Sequence, residues 1–243
     1  SVLDRAKASG VAQIGQVFLS PEAYASSQEV LRRHPGLFFL LGIHPHDAKD
    51  MTPERLETMH AAHERDPLLR AWGEIGLDFY YDLSPRDVQE QAFAQQLAVA
   101  RKLDVPVVIH SRDAFAETLA ILETQGFVNR PLLWHCFGGD LAMAKEIVDR
   151  GWHISLPGPV SFPKAEELRK AALKIPLDRL MLETDCPYLT PEPYRGKRNE
   201  PAFTVFTAQA VAALRAHDLE ELWQLCGDNA RRFFGLENPL AQD

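Results

Sequence analysis

The sequence has 243 residues and a mass of 27.3 kDa, a length that suits one large domain or two small ones. Hydrophobic residues make up 46% of the chain and charged residues 25%, which excludes a mainly disordered protein. The net charge of −8 excludes a broad basic surface of the kind that coats duplex DNA, so any contact with nucleic acid must be local.

No apolar run in the sequence approaches the roughly 18 residues that a membrane-spanning helix needs. Cys136, Cys186 and Cys226 are too few and too scattered for a disulfide framework. We therefore expect a cytoplasmic protein that has no membrane partner, with a monomer as the default state.

Seven short apolar segments alternate with longer helical patterns, and no linker or repeat interrupts them. We predict strands at residues 13–18, 37–41, 69–74, 105–110, 131–135, 152–156 and 179–183. Most are continuously apolar, as strands of buried parallel sheets are. The pattern predicts a single domain over residues 1–243.

Several helix starts carry a recognisable signal. Thr52 and Ser84 each precede a proline, so both are predicted to cap a helix whose first residue is that proline. Asp140 predicts a further cap. In the helix after Ser84, the buried stripe is expected to contain Val88, Ala92, Val99 and Leu103.

Alternating strands and helices leave two architectures, an open doubly wound sheet or a closed (β/α)8 TIM barrel. Polar residues lie at or just beyond the ends of five predicted strands: His44, His46, Glu74, Asp78, His110, Arg112, His135 and Asp185. A barrel brings all its strand ends to one mouth, whereas a doubly wound sheet gathers ligands mainly at one crevice. We therefore predict an α/β TIM barrel that lacks its first strand, because only seven of eight strands are found.

Four different strand ends carry Glu74, His110, His135 and Asp185, which form a mixed nitrogen and oxygen donor set. Such a set suits Mg²⁺, Mn²⁺ or Zn²⁺, and one or two ions are expected. We predict that Glu74 bridges two metals and that Asp185 is both a ligand and a proton acceptor.

The chain contains, in this order, Gly-Ile-His-Pro-His at 42–46, Gly-Glu-Ile-Gly-Leu-Asp at 73–78, Val-Ile-His-Ser-Arg at 108–112, His-Cys-Phe-Gly at 135–138 and Glu-Thr-Asp-Cys-Pro at 183–187. These strings, with the segment 193–201, resemble the TatD family of metal-dependent deoxyribonucleases. The resemblance implies an amidohydrolase-like TIM barrel that cleaves DNA, often from a 3′ end. By motif, it implies that Glu74, His110, His135 and Asp185 are metal ligands and that Glu183 is an acidic neighbour of the site.

The chain departs from the family pattern at its start. The family opens with a strand that ends in Asp-x-His-x-His, and no such motif precedes Val11. Because this motif ends the family's first strand, a single missing segment accounts for both the missing motif and the missing strand. We expect a longer native chain to contain both.

Other polar residues are candidates for substrate binding. Arg195, Lys197 and Arg198 with Glu200 sum to +2 in a short loop, which is suited to phosphate contact, as is Arg112. His44 and His46 are expected to contact substrate or to support the metal ligands. Asp78 and Glu183 either cap a loop or orient a ligand. Cys136 is expected to pack against the helices, because strand alternation turns it away from His135.

The sequence therefore predicts a metal-dependent nuclease that degrades single-stranded DNA, and possibly RNA, from 3′ to 5′. One alternative is a hydrolase of the same superfamily that acts on small phosphoesters, amides or lactones. Another is a metal-poor barrel without catalytic activity. The basic loop around Arg195 favours a polyanionic substrate over a small one.

Overall fold

Strands and helices alternate through residues 1–237, which are the residues described by the structure, a computed structural model. The strands are β1 (Ile14–Phe18), β2 (Leu37–Leu41), β3 (Leu69–Asp78), β4 (Val107–Arg112), β5 (Leu132–Trp134), β6 (His153–Leu156) and β7 (Leu180–Leu182). The helices are α1 (Val2–Ala8), α2 (Pro21–Leu31), α3 (Pro53–Arg65), α4 (Arg86–Leu103), α5 (Phe115–Thr124), α6 (Leu141–Asp149), α7 (Glu166–Ala172), α8 (Thr204–Arg215) and α9 (Leu219–Phe234). All seven predicted strands are present, although several differ at their ends. Within residues 1–237, no helix combines the length and apolarity that crossing a membrane requires.

Residues 13–133 form one compact unit, called unit A, which contains β1 to β4. These strands pair in parallel, β1 with β2, β2 with β3 and β3 with β4. All five residues of β2 are buried, as expected for a parallel strand that is covered on both faces. Phe39, Trp72 and Phe93 are fully buried and form part of the apolar core of this unit.

Residues 1–12 and 134–237 form a second compact unit, called unit B. Here β6 pairs in parallel with β7, and Trp152 is fully buried. The Asn229 amide in α9 donates to the carbonyl oxygens of Leu177 and Leu180, at 2.6 and 2.7 Å. These hydrogen bonds fix α9 beside the start of β7.

The structure extends β3 and β4 beyond their predicted ends, to Asp78 and Arg112. The prediction that Glu74 and His110 lie at or just beyond strand ends is therefore wrong, because both strands continue past them. Glu74 lies in the irregularity between Trp72 and Ile75, and His110 pairs with Gly76. Gly76 explains the extension, because it pairs with His110 at φ +142°. A Cβ atom there would lie 2.0 Å from the carbonyl oxygen of His110, so only glycine allows this approach.

Helix α4 presents a different face to the core than its apolar residues predict. Its buried residues are Gln89, Ala92, Phe93, Gln96, Leu97 and Ala100, so Ala92 alone of the predicted stripe is fully buried. Gln89 Oε1 accepts from the Asp78 amide at 2.8 Å, and Gln96 Oε1 accepts from the Ile43 amide at 2.8 Å. Because these glutamine side chains form hydrogen bonds with backbone groups, they can be buried.

The predicted helix caps are confirmed for Thr52 and Asp140, whose side chains accept backbone amides of α3 and α6. The prediction for Ser84 is wrong. Helix α4 begins at Arg86 without a side-chain cap, and the Ser84 hydroxyl donates to the carbonyl oxygen of His46 at 2.8 Å. Ser84 therefore fixes the loop that carries His46.

Candidate metal centres

In unit A, the potential ligand atoms of His44, Glu74 and His110 all lie within 4.8 Å of one another, and we call this group cluster A. His110 Nδ1 lies 2.8 Å from Glu74 Oε1, and His44 Nε2 lies 3.6 Å from the same oxygen. The three side chains are between 9% and 19% exposed, so they are largely shielded from bulk water. The Gly73–Glu74 peptide bond, which precedes this carboxylate, is cis.

The Asp78 carboxylate contacts two histidine rings, those of His46 and His110. Its Oδ2 accepts from His46 Nε2 at 2.9 Å and from His110 Nε2 at 3.0 Å, while Oδ1 accepts the backbone amides of Tyr80 and Tyr81. Burial alone raises the pKa of Asp78, but the hydrogen bonds from His110, the Tyr81 amide and His46 outweigh it and hold the pKa well below its usual range. Asp78 is therefore an ionised acceptor that holds two loop amides through Oδ1 and contacts two histidines through Oδ2. That it orients a metal ligand stays a prediction.

The hydrogen bonding of His110 shows that the site fits a cation. A neutral imidazole carries a single N–H, and ionised Asp78 takes it at Nε2. The lone pair of Nδ1 then faces the Glu74 carboxylate 2.8 Å away, so a proton or a cation must lie between these acceptors. A carboxylate on the far ring nitrogen is the usual support of a metal-binding histidine. Nitrogen and carboxylate donors suit Zn²⁺, Mn²⁺ or Mg²⁺.

His44 has a different hydrogen-bonding role. Burial lowers the pKa of His44, so the ring is neutral near pH 7. Its Nδ1 accepts from the backbone amide of His46 at 3.2 Å, which places the ring proton on Nε2, the atom that faces Glu74. In this arrangement His44 donates toward the carboxylate, which suits the predicted contact with substrate better than direct ligation.

In unit B, the potential ligand atoms of His135, Cys136 and Asp185 lie within 4.8 Å of one another, and we call this group cluster B. Glu183 Oε2 accepts from His135 Nδ1 at 2.7 Å and also accepts the Ser155 hydroxyl. His135 Nε2 lies 3.8 Å from Asp185 Oδ1. Glu183 therefore contacts one ring nitrogen of His135 as Asp78 contacts one of His110, and the other ring nitrogen faces a carboxylate.

The prediction that Cys136 turns away from His135 is wrong. Strand β5 ends at Trp134, so the alternation of a strand no longer applies at Cys136. Cys136 instead has φ +48°, in the left-handed region, and its sulfur joins the potential ligands of cluster B. The prediction failed because β5 is shorter than the predicted strand, and the apolar run in the sequence does not show where β5 ends.

The predicted phosphate-binding cations are exposed, and three of them lie over aromatic rings. The guanidinium carbon of Arg112 is 3.9 Å from the ring centroid of Tyr80. In unit B, Arg195 lies over Phe162 at 4.2 Å and Lys197 over Tyr194 at 5.4 Å. Glu200, counted in the charge of this loop, forms two hydrogen bonds with Arg5 at 2.5 and 2.7 Å. The negative charge of Glu200 is therefore balanced by Arg5 of α1, which lies outside this loop.

We expect Asp78→Asn to weaken metal binding about 10- to 100-fold, the usual effect of losing a carboxylate behind a metal ligand. The asparagine keeps an acceptor for the Tyr80 and Tyr81 amides but presents an NH₂ group to His46 and His110. The proton of His110 then moves to Nδ1 and removes the lone pair that faces Glu74. Titration with Mn²⁺ in a calorimeter measures the change.

Asp82→Asn is the matched control for that substitution, because Asp82 lies in the same loop with a half-exposed side chain that pairs with Arg86. It should bind Mn²⁺ as the unsubstituted protein does. Wild-type affinity in a folded Asp78→Asn protein would contradict the orienting role, and thermal unfolding in EDTA tests the folding of each variant.

Comparison with known proteins places these clusters in a family context. A family model described as TatD related DNase matches residues 1–235. The chain is 37% identical over 235 residues to the uncharacterized metal-dependent hydrolase YabD of Bacillus subtilis, covering 96% of this chain and 91% of that protein. It is 35% identical to a 3′-5′ ssDNA/RNA exonuclease TatD of Erwinia amylovora, covering 97% and 93%.

Among solved structures, the chain is similar to YJJV, a TatD homolog from Escherichia coli K12. The two superpose with a TM-score of 0.90 at 28% identity, covering 97% of this chain and 91% of the other. This match confirms the predicted fold class, an α/β protein of the TIM-barrel type.

Proposed function

Because the chain belongs to the TatD related DNase family and is a metal-dependent hydrolase, we propose that it hydrolyses phosphodiester bonds of single-stranded DNA from the 3′ end. The Erwinia amylovora relative, whose printed name includes single-stranded DNA and RNA, supports this substrate class. The observation that carries the proposal is the repeated arrangement in clusters A and B. In each cluster, one carboxylate orients a histidine whose other nitrogen faces a second carboxylate.

Divalent metal is required in this proposal, as one or two ions of Mg²⁺, Mn²⁺ or Zn²⁺. We assign Glu74 and His110 in unit A, and His135 and Asp185 in unit B, as metal ligands. A divalent cation held by such groups would polarise a phosphoryl oxygen and would lower the pKa of an attacking water. Asp78 and Glu183 keep the histidine lone pairs directed at Glu74 and Asp185.

The remaining steps are assigned to side chains of the two units. Asp185, whose side chain is 34% exposed, accepts the proton of the attacking water, and Glu74 contributes the second catalytic carboxylate. In unit A, His44 Nε2 donates to a phosphoryl oxygen, and His46 and Arg112 bind the substrate. In unit B, Arg195 and Lys197 bind phosphates. A monomeric state and a cytoplasmic location stay predictions from the sequence.

The proposal is tested with a 5′-labelled single-stranded oligodeoxynucleotide in Mg²⁺ or Mn²⁺. We expect a ladder that shortens from the 3′ end, and EDTA should abolish it. Phosphorothioate linkages at the 3′ end should block the reaction, and the matched RNA oligonucleotide and the duplex define the preferred substrate. Internal cleavage of a 3′-blocked strand would contradict the polarity, and intact DNA with every metal would contradict the nuclease assignment.

A further inference from the structure

Two adjacent aromatic rings stand at the surface directly after β3. Tyr80 and Tyr81 are 57% and 53% exposed, although tyrosine rings usually bury most of their apolar area. Leu83, which follows in the same loop, is 54% exposed. An exposed apolar group of this kind next to a functional site is typical of a binding surface.

The backbone that carries these rings is held in place. Asp78 Oδ1 accepts the amides of Tyr80 and Tyr81 at 3.0 and 2.8 Å. The two rings meet edge to face, with centroids 4.9 Å apart. A surface that is already ordered loses little conformational entropy when a ligand binds to it.

Arg112, at the end of β4, adds a positive charge to the same surface. Its guanidinium carbon lies 3.9 Å from the ring centroid of Tyr80 and 4.8 Å from that of Tyr81. A guanidinium stacked on aromatic rings keeps N–H groups that bind a phosphate with two hydrogen bonds. Aromatic rings for bases combined with a cation for the backbone are typical of sites that bind single-stranded nucleic acid.

This surface is continuous with cluster A. The ring of Tyr81 meets the ring of His46 edge to face at 5.4 Å, and His46 shares Asp78 Oδ2 with His110. A base stacked on Tyr81 would therefore lie within a few side chains of the carboxylate and imidazoles that are proposed to act on the phosphodiester.

We propose that Tyr80, Tyr81 and Arg112 form a nucleobase platform, which binds an unpaired base next to the scissile phosphodiester. The inference rests on the proposed function and specifies how its substrate is held. In a duplex, the faces of each base are stacked and its edge is paired, so only a single strand presents a base to this platform. The platform thus supplies a physical basis for selecting single strands.

Binding of two oligonucleotides tests the platform. One is single-stranded oligo-dT with phosphorothioate linkages, and the other is the same strand with abasic sites at its last nucleotides. Base stacking on an aromatic side chain predicts that the unsubstituted protein binds the first about 5- to 150-fold more tightly, per base that is stacked. Fluorescence anisotropy measures both affinities in Mn²⁺.

Substitutions then assign the preference to the platform. Tyr80→Ala with Tyr81→Ala should abolish the preference for bases over abasic sites, whereas Tyr80→Phe with Tyr81→Phe should retain it because phenylalanine also stacks. Val30→Ala is the matched control, because Val30 is a 60% exposed apolar residue of α2 in the same unit. It should leave both affinities unchanged.

Equal binding of the two strands by the unsubstituted protein, or a preference that survives in the double alanine variant, would overturn the platform. These outcomes are separate from those of the nuclease assay. Base-dependent binding without cleavage supports the platform and contradicts the proposed nuclease, whereas cleavage without base-dependent binding supports the nuclease and contradicts the platform.

Discussion

We expect Glu74→Gln to lower hydrolysis of single-stranded DNA by more than about 100-fold, because loss of a group behind a metal ligand already costs about 10- to 100-fold. Glu74 Oε1 is the oxygen toward which His110 Nδ1 and His44 Nε2 converge, at 2.8 and 3.6 Å. The amide of glutamine has nearly the same shape but no charge, and one of its oxygens becomes an NH₂ group. It therefore binds a divalent cation far more weakly than the carboxylate does.

The rate of appearance of shortened 5′-labelled strands in Mn²⁺ measures this loss. Glu57→Gln is the matched control, since Glu57 lies on α3 in the same unit and its side chain is 79% exposed. This control should cleave at the unsubstituted rate, and both variants should unfold in EDTA at the temperature of the unsubstituted protein. Full activity of Glu74→Gln would mean that Glu74 is neither a metal ligand nor a catalytic group.

The sequence predicts the strands that carry Glu74 and His110. Apolar runs mark all seven strands, because parallel strands are covered on both faces and tolerate few polar residues. The polar residue that ends such a run therefore stands out, as Glu74 and His110 do. The same reasoning fails at the strand ends, because backbone pairing continues past the first polar residue and hydropathy does not record it.

Another difference has the same origin, since hydropathy does not show which polar groups find partners. Gln89 and Gln96 are fully buried on α4 because they bind backbone groups of Asp78 and Ile43. The strand and loop that carry cluster A are thus held by hydrogen bonds between residues far apart in the sequence. Only the three-dimensional structure shows these hydrogen bonds.

Gly76→Ala should be the most destabilising single substitution near cluster A. Gly76 has φ +142°, a conformation that costs an alanine about 1–3 kcal/mol. The added Cβ would also lie 2.0 Å from the carbonyl oxygen of His110, and such overpacking costs about a further 1–3 kcal/mol. We expect the free energy of unfolding to fall by at least about 3 kcal/mol, which lowers the melting temperature by about 6–12 °C for a chain of this size.

The same substitution should weaken Mn²⁺ binding, because relieving the contact moves the His110 backbone away from β3 and its ring away from Glu74. Gly138→Ala is the matched control, since a Cβ at Gly138 meets no atom within 4 Å and its φ is not in the left-handed region. Thermal unfolding in EDTA and calorimetric titration with Mn²⁺ separate the two effects. A Gly76→Ala protein that unfolds and binds Mn²⁺ like Gly138→Ala would mean that the close pairing of Gly76 with His110 does not position cluster A.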